Sequence, residues 1–180
     1  MEHPEYLAIR AHLPPGYQDV LDFGYHSGWR RGEIVRLAWQ DVDRAAGVIR
    51  LRPELSKNKD GRLLVLSPPP KEIIERRWHA RILSCSFVFH RNGRPIGDWR
   101  KSWGRACTAA GLPRKLFHDL RRTVVRNLVR AGVPERVGMS MTGHKTRLVF
   151  DRYNIVSETD LKQATTRLAD YVAAQSSVRG

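Results

Sequence analysis

Two short aliphatic runs, Val48-Ile49-Arg50-Leu51-Arg52 and Arg62-Leu63-Leu64-Val65-Leu66, constrain the fold of this chain most tightly. Each is too short for a stable helix, and the polar stretch between them ends in the turn-forming pair Asp60-Gly61. They predict antiparallel strands over 48–52 and 62–66. Phe87, Val88 and Phe89 add a brief extended piece, and Asn92-Gly93 a turn. The remainder carries helical spacing. Residues 6–12 predict a short helix, Pro14-Pro15-Gly16 a break, and residues 18–25 a second helix. Ile34, Leu37 and Ala38 lay an apolar face along 30–39. Pro68, Pro69 and Pro70 start a helix carrying Ile73, Ile74, Trp78 and Ile82. After Asp98, the residues Trp99, Trp103, Ala106 and Ala110 share a face that stops at Gly111-Leu112-Pro113.

A basic helix follows over 118–130, and Pro134 opens another that closes near Gly143. Helical pattern resumes over 146–153. Ser157 and Asp160 then have capping-box spacing ahead of a last helix striped by Leu161, Ala164, Leu168 and Val172. The predicted class is α+β, mainly helical with a small antiparallel β-sheet.

Charge narrows the partners. The 180 residues carry a formal charge of +14. In residues 71–130 there are fifteen Lys and Arg against four Asp and Glu. That excess attracts a polyanion, with nucleic acid the first candidate and an acidic membrane surface the weaker one. A hydrophobic fraction of 41% is too high for a disordered basic tail. No apolar run approaches the roughly 18 residues of a membrane span, and the N-terminus lacks a secretory profile. Only Cys85 and Cys107 occur, far apart, which disfavours zinc or disulfide frameworks and favours a cytoplasmic setting.

Several groups can carry chemistry, and each has a bland explanation when taken singly. Arg30 and Glu33 lie three apart at a helix start and can form a plain surface ion pair. His118 and Arg121 share a helix side, placing an imidazole beside a guanidinium fork, or simply lying on a solvated face. His144 follows a helix end, where capping is the ordinary role, and Tyr153 can be a core tyrosine. Together they suit phosphoryl transfer. Two arginines can hold nonbridging oxygens, a tyrosine can attack, and a histidine and a hairpin lysine can move protons. No Asp, Glu or His cluster has metal-ligand spacing, so a metal-dependent nuclease is disfavoured and no cofactor is expected.

The order of these groups resembles the catalytic domain of the tyrosine recombinase, or phage integrase, family. Ser27-Gly28-Trp29-Arg30-Arg31-Gly32-Glu33 matches the first box and Lys57 the hairpin lysine. His118-Asp119-Leu120-Arg121 matches the H-x-x-R box, Thr142-Gly143-His144 the next, and Tyr153 the terminal tyrosine. Five boxes in order say far more than any one. The resemblance implies that Tyr153 attacks the scissile phosphate of double-stranded DNA, leaving a 3′-phosphotyrosyl enzyme and a 5′ hydroxyl. Arg30 and Arg121 would hold the nonbridging oxygens and Lys57 would protonate the leaving oxygen, with Lys59 its nearest competitor. His118 would assist proton transfer, His144 would bond the phosphate, and Glu33 would buttress Arg30. The expected outcome is site-specific recombination or integration. A DNA-binding remnant and supercoil relaxation in the manner of a type IB topoisomerase stay open as alternatives.

The resemblance further implies a homo-tetramer on DNA, with the last helix docking on a neighbouring protomer or on its own domain. Residues 1–26 are expected to lead into a motif-bearing core over 27–155 and a C-terminal helix over 157–175. The family's preceding core-binding domain is expected to be absent. Gly138, inside the short helix before His144, is expected to loosen that histidine, because glycine costs about 1 kcal/mol there relative to alanine.

Overall fold

The computed structural model describes residues 1–56, 59–151 and 158–177. Lys57, Tyr153 and the Ser157 cap position lie outside the described residues. Two helices lead, α1 (His3–Ala11) and α2 (Pro15–Ser27). Both begin ahead of their sequence forecast, with Pro4 and Pro15 in their first turns, where a missing N–H leaves nothing unpaired. The expected break at Pro14-Pro15-Gly16 therefore shrinks to Pro14, and Pro15 opens α2. Val20, Leu21 and Phe23 of α2 are fully buried, and this helix forms the centre of the core between two later helices, α4 (Pro68–His79) and α6 (Asp119–Arg130).

The helix expected over 30–39 is corrected to a single turn, α3 (Arg31–Ile34). Beyond it the backbone pairs elsewhere. Leu37 O accepts the Val88 N–H at 2.9 Å, and Trp39 N–H donates to Ser86 O at 2.9 Å. Ile34, Leu37 and Ala38 are all buried, so their spacing reports a buried face that a loop satisfies as well as a helix would.

Strands β1 (Val42–Asp43), β2 (Val48–Leu51) and β3 (Arg62–Val65) form one antiparallel sheet in that order. Register pairs Ile49 with Leu64 and Leu51 with Arg62. The alternation buries Ile49, Leu51 and Leu64, and turns Leu63 and Val65 to solvent. Arg62 thereby sits on the core-facing side, where an aliphatic residue is the usual occupant. A second two-stranded ribbon, β4 (His90–Arg91) and β5 (Arg94–Pro95), turns at Asn92-Gly93, with φ of 50° and 78°. The extended piece at 87–89 reduces to a single bridge between Phe87 and Ala38.

Helix α4 stops before Ile82, which is partly exposed past its end. Helix α5 (Arg100–Ala109) buries Trp103, Ala106 and Cys107, with Trp99 at its N-cap. Trp99 stacks on Tyr17 and meets Phe117 edge-on, tying α5 to α2 and to the approach to α6. The chain then runs through α7 (Glu135–Thr142), α8 (Arg147–Asp151) and α9 (Glu158–Ser177). Among the described residues no helix is long and apolar enough to cross a membrane.

Gly138, expected to loosen His144, has a packing role. A Cβ there would lie 3.3 Å from Phe150 Cζ, so the bare helix face lets the fully buried Phe150 ring close against α7. That ring also meets His144 edge-on at 5.8 Å. A paired substitution tests this. Gly104→Ala, where a Cβ meets open space within α5, should stabilise by about 1 kcal/mol, roughly 2–4 °C in Tm. Gly138→Ala gains the same propensity but pushes Phe150, so its melting temperature should stay level or fall. An equal rise at both sites would contradict the packing role.

Candidate active site

Arg30 is the N-cap of α3, and its box folds back on itself through Glu33. The Glu33 carboxylate is 2% exposed. It accepts the Arg30 backbone N–H at 2.9 Å through Oε2 and Arg30 Nη1 at 2.9 Å through Oε1. That is the reciprocal arm of a capping box, so local helix chemistry sets the direction of the arginine. The Arg30 side chain remains 23% exposed, open on one side.

Arg121 lies in the first turn of α6 and is 2% exposed. Its Nη1 donates to the Gly28 carbonyl at 3.0 Å, reaching from the H-x-x-R box into the first box. His118 occupies the N-cap position of the same helix without a side-chain capping bond, and it is exposed. Desolvation lowers its pKa from the ordinary histidine value, and Arg121, Arg122 and Arg30 lower it further.

His144 follows Gly143, the left-handed cap of α7. Thr142 Oγ1 lies 2.7 Å from the Gly138 carbonyl and 2.8 Å from His144 Nδ1. Two oxygens at 2.7 Å need a proton between them, so the hydroxyl donates to Gly138 and accepts from the Nδ1–H of His144. In the neutral ring Nε2 is then an acceptor. Burial, followed by Arg121, Arg30, Arg62 and His118, pushes the His144 pKa down to about 3. Positive charge from Arg121, Arg30 and Arg62 thus acts on a ring that stays neutral.

The pH consequence follows from the sign. Unfolded His144 takes up a proton near its ordinary 6.5, whereas the folded ring resists until about 3. Its contribution to stability is complete above about pH 6.5 and is lost as pH falls toward 3. Urea midpoints should thus decline below pH 6.5, and His144→Gln should flatten that decline. His26, His90 and His118 are lowered in the same direction, so the readout is the difference between variant and parent. Parallel slopes would contradict the burial of a neutral His144.

Arg62 is the residue that sequence reasoning missed. Its Nη2 donates to Glu33 Oε2 at 2.5 Å and its Nη1 to the Thr142 carbonyl at 2.9 Å. Its guanidinium also stands 5.4 Å over the Trp29 ring. Burial draws its pKa below the ordinary value, with Glu33 opposing. The available signal was the strand alternation, which places Arg62 on the same face as Leu64. Removing Glu33 would leave this buried guanidinium uncompensated, so Glu33→Ala should cost about 3–5 kcal/mol in chemical denaturation. A loss under about 1 kcal/mol would mean that the pair behaves like a surface ion pair.

Lys57 and Tyr153 lie outside the described residues. Ser56, Asp60, Arg62, Gly143, His144 and Lys145 line a cleft of about 250 Å³, and Lys145 Nζ pairs with Asp60 at 2.9 Å. The hairpin root thus faces the His144 turn. A separate cleft of about 260 Å³ is lined by Trp29, Trp99, Trp103 and Phe117 together with Arg30 and His118.

The sequence profile of the phage integrase family matches residues 2–159. The integrase of Salmonella phage P22 is 29% identical over 150 residues, covering 76% of this chain and 38% of that protein. The tyrosine recombinase XerC of Syntrophus aciditrophicus (strain SB) is 25% identical over 175 residues, covering 89% and 54%. The chain spans about half the length, or less, of the curated relatives it matches. Among solved structures, XerA recombinase superposes with a TM-score of 0.75 at 18% identity, covering 93% of this chain and 64% of that one. A lambda integrase tetramer bound to a Holliday junction superposes at 0.71 and 19% identity, covering 86% and 47%. These likenesses establish the α+β fold as that of tyrosine recombinase catalytic domains.

Proposed function

The chain belongs to the phage integrase family, and from that premise we propose that it cleaves and rejoins duplex DNA in site-specific recombination or integration. The supporting observation is that hydrogen bonds join three separated boxes, Arg121 reaching the Gly28 carbonyl and Arg62 tying the Glu33 partner of Arg30 to the Thr142 carbonyl beside His144. A scissile phosphate supplies the anion that such an arrangement suits. Tyr153 Oη attacks phosphorus, the bond to the 5′ oxygen breaks, and a 3′-phosphotyrosyl link forms. His118 takes the tyrosine proton, and Lys57, or Lys59 in its stead, protonates the departing 5′ oxygen. Arg30 and Arg121 carry the charge that develops on the nonbridging oxygens. His144 donates to the same phosphate once the anion has raised its pKa and Nε2 has gained a proton. Attack by the new 5′ hydroxyl reverses these transfers and rejoins strands, so the bond energy is conserved.

Duplex DNA is the partner, bound by phosphate contacts that weaken steeply with salt. Assembly as a homo-tetramer is in keeping with the lambda integrase tetramer on its junction. Exchange of α9 between protomers would cover Leu161, Leu168 and Val172, each more than half exposed. A cytoplasmic setting suits the phage and bacterial relatives. Relatives named as integrases and recombinases do not favour a remnant without chemistry or supercoil relaxation.

A pool of duplexes with a randomised core, nicked so that the released 5′-hydroxyl fragment diffuses away, tests the reading. A denaturant-resistant protein–DNA adduct is expected. Salt-sensitive binding without any adduct would overturn it.

A further inference from the structure

We propose that Arg62 is a positioning residue for the reaction, locking the Arg30–Glu33 pair and the Thr142–His144 turn into one frame from the root of the β2–β3 hairpin. Its catalytic consequence rests on the function proposed above, whereas the frame itself does not. The register with Leu51 aims Arg62 inward, and its side chain is 6% exposed, so the guanidinium is spent inside the protein. Its fork reaches two partners in different directions. One is the Glu33 oxygen that also accepts the Arg30 backbone N–H, and the other is the carbonyl of Thr142, whose hydroxyl fixes the His144 ring. The Trp29 ring, next to Arg30 in sequence, lies under the same group.

Gly143 supplies an independent observation. Its φ of 68° already favours glycine, and a Cβ there would stand 1.9 Å from Arg62 Nη1. The guanidinium occupies the space that any side chain at 143 would need, so the Thr142-Gly143-His144 box is shaped around a residue of the hairpin. A lysine could carry the charge but could not bond both partners at once, because an ammonium lacks the planar fork. Misplacement by about 1 Å of groups that hold a reacting phosphate costs on the order of 100-fold in rate.

The experiment compares the parent chain, Arg62→Met and Arg62→Lys. Single-turnover adduct formation should fall about 100-fold in Arg62→Met, with an intermediate loss in Arg62→Lys, while DNA Kd stays within about twofold because both arms of the guanidinium are held by Glu33 and the Thr142 carbonyl. In the DNA-free protein at neutral pH, ¹⁵N–¹H spectra of the imidazoles should show His144 as a single Nδ1–H tautomer in the parent. Arg62→Met should show mixed tautomers, with Arg62→Lys closer to the parent. An unchanged His144 ring in Arg62→Met would overturn the proposal whatever the catalytic result. So would a parent-like adduct rate, a rate loss fully restored by cooling to where the variant is folded, or a loss confined to Kd. A parent chain that forms no adduct would sink the proposed function alone, and the His144 spectra would still decide the role of Arg62.

Discussion

Tyr153→Phe is expected to abolish the covalent DNA adduct, a loss of at least about 10⁴-fold at the limit of detection. The substitution removes one oxygen and keeps the ring, so DNA affinity should stay within about twofold, because phosphate contacts elsewhere supply it. This pairing of an absolute loss in chemistry with intact binding is specific to a nucleophile. Loss of a phosphate-binding group would weaken binding, and loss of a packing residue would lower the melting temperature. Helix α8 ends at Asp151, and its fully buried Phe150 anchors the chain three residues ahead of the tyrosine. Gel quantification of the trapped complex, beside filter binding of the same preparation, reads both quantities. An adduct that persists in Tyr153→Phe would transfer the nucleophile to another residue.

Arg121→Met is expected to produce the second-largest effect, and in two separable parts. The guanidinium is 2% exposed and donates to the Gly28 carbonyl at 3.0 Å, so its removal strands a buried acceptor at a cost of about 1–3 kcal/mol. The same group is assigned to the charge that develops on the phosphate. Donors of that kind are worth roughly 10²–10³-fold in rate. Single-turnover cleavage, measured where circular dichroism shows the variant fully folded, isolates the second part. Arg121→Lys should recover part of the rate, since it restores charge without the bidentate fork. A rate within about tenfold of the parent in folded Arg121→Met would leave Arg121 a structural strut.

What was legible in the sequence depended on how far each residue had to reach. Glu33 bonds Arg30 only three positions away, and Thr142 bonds His144 only two away, so box spacing carried their geometry. The strands at 48–52 and 62–66 were readable because period-two burial is a local property. Helix 30–39 misled because burial of Ile34, Leu37 and Ala38 is also satisfied when their backbone pairs with residues 86–88. Arg62 stayed hidden for the same reason. Its partners lie 29 and 80 positions away, and no local motif encodes an arginine that completes a helix end that distant. The expectation for Gly138 missed a packing partner, Phe150, that only the fold brings against it. The order of the five boxes pointed to the family, but box order could not reveal how the boxes are braced against one another.

The chemistry assigned to this site puts DNA on one oxygen of one residue. Trypsin and nuclease digestion of the trapped complex, followed by tandem mass spectrometry, locates that bond. Cleavage after Arg152 and Lys162 releases a peptide in which Tyr153 is the sole tyrosine. The expected result is a 3′-linked nucleotide phosphate on Tyr153 of this peptide. Attachment to any other residue, or linkage through a 5′ phosphate, would contradict the account.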